Sequence, residues 1–240
     1  MRRWFVLLIL ILAVAAGLYG LSGARTFQLF GRVVARVETD RPLVALTFDD
    51  GPTPAFTEAI LGILAGRGVR ATFFVTGREA AAHPAETAAL VAAGHTLGNH
   101  SWSHGRMVLV RPAAVRDELA RTDAAIRAAG FVGPIPFRPP YGKRLFVLPW
   151  VLARQDRMTV MWDSAPDSDP NAGTERIIRA AVDTARPGSI ILLHAMYASR
   201  SATREALPAI IDGLRARGFR LVTLPDLLAA GGVAPGPDAP

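Results

Sequence analysis

Apolar positions along the chain first form one unbroken block and then break into short alternating runs. Arg2 and Arg3 precede a stretch without charge at 4–21. Eighteen helical residues at 1.5 Å rise span about 27 Å, close to the hydrocarbon thickness of a bilayer. Segment 1–21 therefore reads as a membrane anchor, with a secretory signal peptide cleaved near Ser22-Gly23-Ala24 as the alternative. Residues 22–40 read as a juxtamembrane connector in which Val33, Val34 and Val37 offer a leading strand.

From Leu43 the pattern switches to apolar runs alternating with helical periodicity. Strands are expected at 43–48, 69–75, 96–98, 158–162, 189–193 and 220–223. Helices are expected at 54–67, 84–93, 111–129, 174–185, 203–217 and 224–230. In 203–217, Leu207, Ile210, Ile211 and Leu214 recur at spacings that share one helical face. Gly94, Gly130 and Gly218 stop three of these helices. The Gly/Pro-rich segment 231–240 is expected to be a flexible tail.

Strand–helix alternation with continuously apolar strands implies a parallel sheet covered by helices. A doubly wound sheet and a β/α barrel both fit the count. Polar clusters at Asp49-Asp50, His100, Arg138, Asp163 and His194 each follow a strand candidate. Barrel sites gather at the C-terminal ends of the strands, which favours an α/β, (β/α)7-type barrel over 41–230. No Gly-rich phosphate loop follows the first strand, so nucleotide binding has no support.

Composition narrows the chemistry. The chain has no cysteine, which excludes a disulfide scaffold, a thiol nucleophile and any cysteine-ligated metal. A metal site must use His and carboxylate ligands. The net charge is +7, Lys143 is the sole lysine, and the arginines are scattered. No nucleic-acid module is visible and no nucleic-acid partner is expected. An attraction to anionic membranes or polymers fits the charge better.

Five clusters carry candidate chemistry. Asp49 and Asp50 are adjacent carboxylates at a buried strand end, where mutual repulsion calls for a cation or an arginine. His100 and His104 are four apart, a spacing that on a helical turn faces both imidazoles to one side and suits one zinc-like ion. Asp50 would complete a set of two His and one carboxylate with open positions. Arg138-Pro139-Pro140-Tyr141-Gly142 is a stiff turn whose Tyr141 N–H offers an oxyanion donor. Trp162-Asp163 opens a stretch that also holds Asp167 and Asp169. His194, at the mouth of an apolar strand, is a candidate general acid. His83 and His95 read as structural, and Phe73-Phe74 as core.

With these motifs in this order, the chain resembles the polysaccharide deacetylases of carbohydrate esterase family 4, the NodB homology domain. The matching segments are T-F-D-D-G-P at 47–52, A-T-F-F-V-T-G at 71–77, G-N-H-S-x-S-H at 98–104, R-P-P-Y-G at 138–142 and the I-x-L-H ending at His194. The resemblance implies a distorted barrel and a divalent metal held by Asp50, His100 and His104. Zn2+ is the expected ion, with Co2+ or Ni2+ as substitutes. It further implies Asp49 as general base, Arg138 orienting it, Tyr141 lending its N–H and His194 as general acid. The family's fourth motif usually ends in Asp-Trp, where this chain has Ser168-Asp169. Asp167 or Asp169 is the expected replacement for the acid. Trp102, Trp162 and Leu193 are the expected walls of the acetyl pocket.

The function that the resemblance implies is hydrolysis of N-acetyl groups on an N-acetylglucosamine-containing glycan, with peptidoglycan favoured. A lipid-linked sugar or other small amide, and a non-catalytic glycan binder, are the alternatives. Because Arg2 and Arg3 precede the span, the catalytic domain is expected on the extracytoplasmic side of a bacterial membrane, or secreted if the N-terminus is cleaved.

Overall fold

The computed structural model describes residues 2–234 and residue 236. Most of the expected tail, at 235 and 237–240, lies outside the described residues, as does Met1. Helix α1 (Arg2–Ser22) is long and apolar enough to cross a membrane, and only its last residue is buried against the rest of the chain.

Seven strands follow: β1 (Val33–Val34), β2 (Leu43–Asp49), β3 (Thr72–Val75), β4 (Thr96–Asn99), β5 (Thr159–Val160), β6 (Ile190–His194) and β7 (Arg220–Val222). The helices that cover them are α2 (Pro54–Ala65), α3 (Gly77–Ala82), α4 (Pro84–Ala92), α5 (Pro112–Ala128), α6 (Val147–Arg154), α7 (Thr174–Thr184), α8 (Ser201–Ala216) and α9 (Leu224–Ala230). The hydrogen-bonded order is β4-β3-β2-β6, every ladder parallel, with β7 beside the first half of β2. Single bridges close the circuit. Phe137 links Asn99 of β4 to Thr159 of β5, and Ser164 links the segment after β5 to Ile191 of β6. The result is a distorted β/α barrel whose irregular side is held by isolated bridges rather than full strands.

The period of two along each strand divides the core. On β2, Val44, Leu46 and Phe48 face the helices, whereas Leu43 and Ala45 face the barrel interior. The same alternation sends Ile191 and Leu193 of β6 outward and Ile190 inward. The interior is apolar at the bottom, where Leu224, Leu227 and Leu228 of α9 plug it. Continuing the inward row toward the C-terminal ends reaches Thr47 and Asp49 on β2, and Leu192 and His194 on β6. The polar end of the barrel is thus written into the strand sequences.

Two helices have no counterpart in the periodicity. In α6, Pro149 interrupts the sequence pattern, yet it falls in the first turn, where no intrahelical N–H is required. Helix α3 is a single short turn and a half against α5. A Cβ on Gly77 would meet Thr122 Oγ1 at 2.4 Å and the Trp102 ring at 2.5 Å, so glycine permits this contact.

Candidate active site

Asp49 and His194 are paired neighbours across the β2–β6 ladder, which aims both into one cavity of about 380 Å³ at the C-terminal end of the barrel. Asp50, His100, His104, Tyr141, Trp162 and Leu192 line it as well, together with Ser168 and Arg200.

The Asp50 carboxylate and two imidazoles converge. Asp50 Oδ1 lies 3.3 Å from His104 Nε2 and 4.0 Å from His100 Nε2. One ligand atom from each residue falls within 4.8 Å of the others. Asp50 Oδ1 is buried and accepts no hydrogen bond within the described residues. An orphaned carboxylate oxygen facing two imidazole nitrogens fits a divalent cation. The Nδ1–H of His100 donates to the Arg138 carbonyl at 2.8 Å, which fixes the tautomer and leaves Nε2 as the ligand atom. Burial, joined by the neighbouring His100, holds His104 below the ordinary imidazole value and favours the neutral ring that a metal needs.

The route to this convergence differs from the helical turn expected for His100 and His104. Residues 100–106 form an irregular loop, and His104 has φ 57°. Asp50, Ser101, His104 and Tyr141 are four of the five non-glycine residues with positive φ among the described residues. Left-handed backbone is costly for such side chains and persists where surrounding bonds enforce it. Those bonds are visible. Glu118 of α5 accepts from the N–H groups of Trp102 and Ser103, both at 2.8 Å, and from Ser103 Oγ at 2.7 Å. Asn99 Oδ1 accepts from Ser101 N, while its amide donates to Asp123. On the other side, Glu79 of α3 accepts from Gly51 N, which fixes the turn after Asp50.

Asp49 is held separately from Asp50. Its Oδ1 accepts from Arg138 Nη1 at 2.6 Å, and its Oδ2 lies 3.6 Å from His100 Nε2. Burial alone pushes this carboxyl up. The charges of Arg138, His100 and His194 outweigh burial and hold Asp49 below the ordinary carboxylate value, so it is ionised at neutral pH. Arg138 is itself fully buried, stacked on Phe74, and donates to Thr47 Oγ1 and the Met161 carbonyl. Every arm of the guanidinium is thereby tied to the barrel wall.

His194 rests on Asp167. The Asp167 carboxylate accepts from His194 N at 2.6 Å, lies 3.1 Å from its Nδ1 and accepts from Thr203 Oγ1. Burial lowers the imidazole, but this bond and the charges of Asp167, Asp49 and Asp50 overcome it and raise His194 above its ordinary value. Asp169, the other expected fourth-motif acid, is instead at the surface with Arg176, 2.7 Å away. Neither acid touches Arg138, whose anionic partner is Asp49. Asp163 binds Ser189 Oγ and Ile190 N and serves the β5–β6 connection.

Two expected pocket walls are corrected. Leu193 points outward into the helix-facing core, and Leu192, on the inward row with His194, lines the cavity. Trp102 packs beside Gly77, with Arg121 over its ring, and does not line the cavity. Trp162 does line it, against Gly142. The Tyr141 backbone N–H finds no acceptor among the described residues, and its ring packs on His104 with centroids 4.8 Å apart. The period of two would have selected Leu192 over Leu193. No local signal marks Glu118 or Glu79, because each acts through chain-distant backbone.

The polysaccharide deacetylase family model matches residues 36–159. A chitooligosaccharide deacetylase from a Bradyrhizobium species is 36% identical over 196 residues, covering 77% of this chain and 90% of that protein. A peptidoglycan-N-acetylglucosamine deacetylase from Bacillus cereus is 34% identical, covering 77% of this chain and 67% of its own length. An acetyl xylan esterase of family 4 from Clostridium thermocellum, solved with a cobalt ion, superposes with a TM-score of 0.74 at 37% identity, covering 81% of this chain and 94% of that one.

Proposed function

Since the chain belongs to the polysaccharide deacetylase family, we propose that it is a metal-dependent N-deacetylase of an N-acetylglucosamine-containing glycan, releasing acetate. The observation that carries this reading is the division of labour between adjacent carboxylates. Asp50 faces two imidazoles with an oxygen to spare, while Asp49 is ionised and clamped by Arg138.

Asp50, His100 and His104 would hold the cation; the cobalt-bound relative supports a divalent transition metal there, and we take Zn2+ as that ion. A divalent cation there supplies Lewis acidity, polarising an acetyl carbonyl and bringing the pKa of water toward about 7. The remaining roles belong to the chain. Asp49 takes the proton of the attacking water on its carboxylate, held in position by Arg138. The Tyr141 N–H, already free of internal acceptors, donates to the oxygen that gains negative charge as the carbonyl becomes tetrahedral. His194, kept protonated by Asp167, gives a proton to the departing amine. Leu192 and Trp162 leave room for the acetyl methyl. Positioned base and acid each contribute on the order of 10² to 10⁴ in rate.

Peptidoglycan is the favoured glycan class, supported by the Bacillus relative and by an N-terminal helix suited to an envelope location. We read that helix as a retained anchor with the catalytic barrel outside the cytoplasm. The test is acetate release from N-acetylated chitooligosaccharides and peptidoglycan. A chelator should abolish it and added Zn2+ restore it; activity indifferent to chelation would refute the metal-dependent reading.

A further inference from the structure

The membrane-suited helix does not simply tether the barrel; its end is built into the catalytic face. Arg144, almost fully buried and two residues past the R-P-P-Y-G turn, donates its backbone N–H to the Ser22 carbonyl and its guanidinium to the carbonyls of Ala24 and Phe27. Met107, three residues past His104, bridges Arg144. The loop that carries His104, the turn that carries Tyr141 and the outer end of α1 are therefore joined at one arginine.

These three segments enclose a groove of about 310 Å³. Leu18 and Tyr19 of α1 form one wall, and Leu109 and Leu145 the other. Leu109 is 89% exposed, so its side chain is open to an apolar ligand lying in the groove. Along α1, Ala15 to Ser22 covers about 10 Å of rise, so the floor of the groove lies at the depth of lipid chains if the helix spans a bilayer. The groove is not apolar throughout. Arg106 and Lys143 also line it. Arg106 lies 5.0 Å over the Tyr141 ring, and Lys143 adjoins Gly142, so the groove's basic residues adjoin the wall of the metal-site cavity.

An apolar slot at chain depth, then two cations, then a deacetylation site match, in that order, a hydrocarbon chain, a phosphate and an N-acetylated sugar. We infer that this groove binds the hydrocarbon chain of a lipid-phosphate-linked N-acetylated saccharide, with Arg106 and Lys143 meeting the phosphate. This rests on the deacetylase reading above and narrows it: the membrane-bound, lipid-linked form of an envelope glycan is preferred over the soluble polymer chain. Reactions that join an N-acetylated sugar phosphate to the lipid would supply the substrate, and reactions that use a lipid-linked free amino sugar would consume the product.

The experiment uses the full-length, Zn2+-loaded chain in detergent micelles. Acetate release is compared for N-acetylglucosaminyl diphosphate carrying a long polyprenyl chain, the same head group on a geranyl chain, and soluble chitotetraose. The long-chain substrate should exceed the geranyl one in kcat/KM by about tenfold or more, as burial of several extra apolar groups requires. Leu109→Asp and Lys143→Ala should each erode kcat/KM for the long-chain substrate while chitotetraose turnover stays unchanged. Equal kcat/KM for long and short chains, or a preference untouched by Leu109→Asp, would overturn the inference while leaving the deacetylase reading intact. Absence of acetate from all three substrates would overturn both.

Discussion

At the scale of single residues, the site is an exercise in keeping like charges apart. Asp49 and Asp50 are neighbours, yet Asp49 sits in the inward row of β2 under Arg138, and Asp50, at φ 75°, turns toward the imidazoles. Asp49→Asn keeps the shape and removes the proton acceptor. It should lower kcat by about 10² to 10⁴ with Zn2+ affinity largely retained, measured by steady-state acetate release beside calorimetric metal titration. Substantial turnover in that variant would remove Asp49 as the base. Asp167 offers a pH test. It is a principal cause of the raised His194 value, so the protonated acid persists to higher pH in the wild type. Asp167→Asn removes that support, and the alkaline limb of the kcat–pH profile should move to lower pH. An unmoved limb would show that His194 is not the acid that titrates there.

At the scale of elements, the strands supply alignment and the loops supply strain. One β2 position, Asp49, and two β6 positions, Leu192 and His194, supply the proposed base, apolar wall and proposed acid simply by alternation. The metal loop has no such regularity, and its shape depends on α5. Glu118 gathers two N–H groups and a hydroxyl from residues 102 and 103, immediately before His104. Glu118→Ala should weaken Zn2+ affinity by about 10- to 100-fold, as loss of an outer support of a metal site does, with the circular dichroism spectrum unchanged. Unaltered affinity would mean that the loop holds its conformation without α5. Close packing beside the site is equally specific. A Cβ on Gly98 would stand 2.5 Å from the Phe74 ring that underlies Arg138.

At the scale of the whole molecule, stability and location follow from burial. His95 is buried and its Nδ1 accepts from Ala71 N, a bond available to the neutral ring only. Burial first, and Arg70 second, lower His95 from 6.5 to about 4. The unfolded chain binds that proton more readily, so the contribution of His95 is complete above pH 6.5 and is lost as pH falls toward 4. The loss is about 3 kcal/mol at most, and denaturant midpoints at pH 7 and pH 4.5 should show it. In His95→Gln the difference between those midpoints should shrink; a difference of the same size would assign the acid sensitivity to other groups.

Much of this protein was decided by sequence. Period-two apolar rows ending in acid or histidine specify inward-facing strands with a polar mouth, and the motif spacing identifies the family. The block before Leu21 specifies one long apolar helix. Those features are local, because alternation and hydropathy act over a few neighbouring residues. What the tertiary structure alone decided is non-local. His100 and His104 meet through a loop with left-handed residues, not through a helical turn, because Glu118 and Asn99 satisfy its backbone from elsewhere. Asp167 rather than Asp169 supports His194, since only Asp167 is buried beside Thr203. Trp102 turns to α3 and α5, while Trp162 takes the pocket wall. The end of helix α1 and the residues just after it meet the segment following the Tyr141 turn through Arg144, more than a hundred residues away in sequence. Such bonds depend on which distant groups share a volume once the core has closed, and no local pattern encodes that.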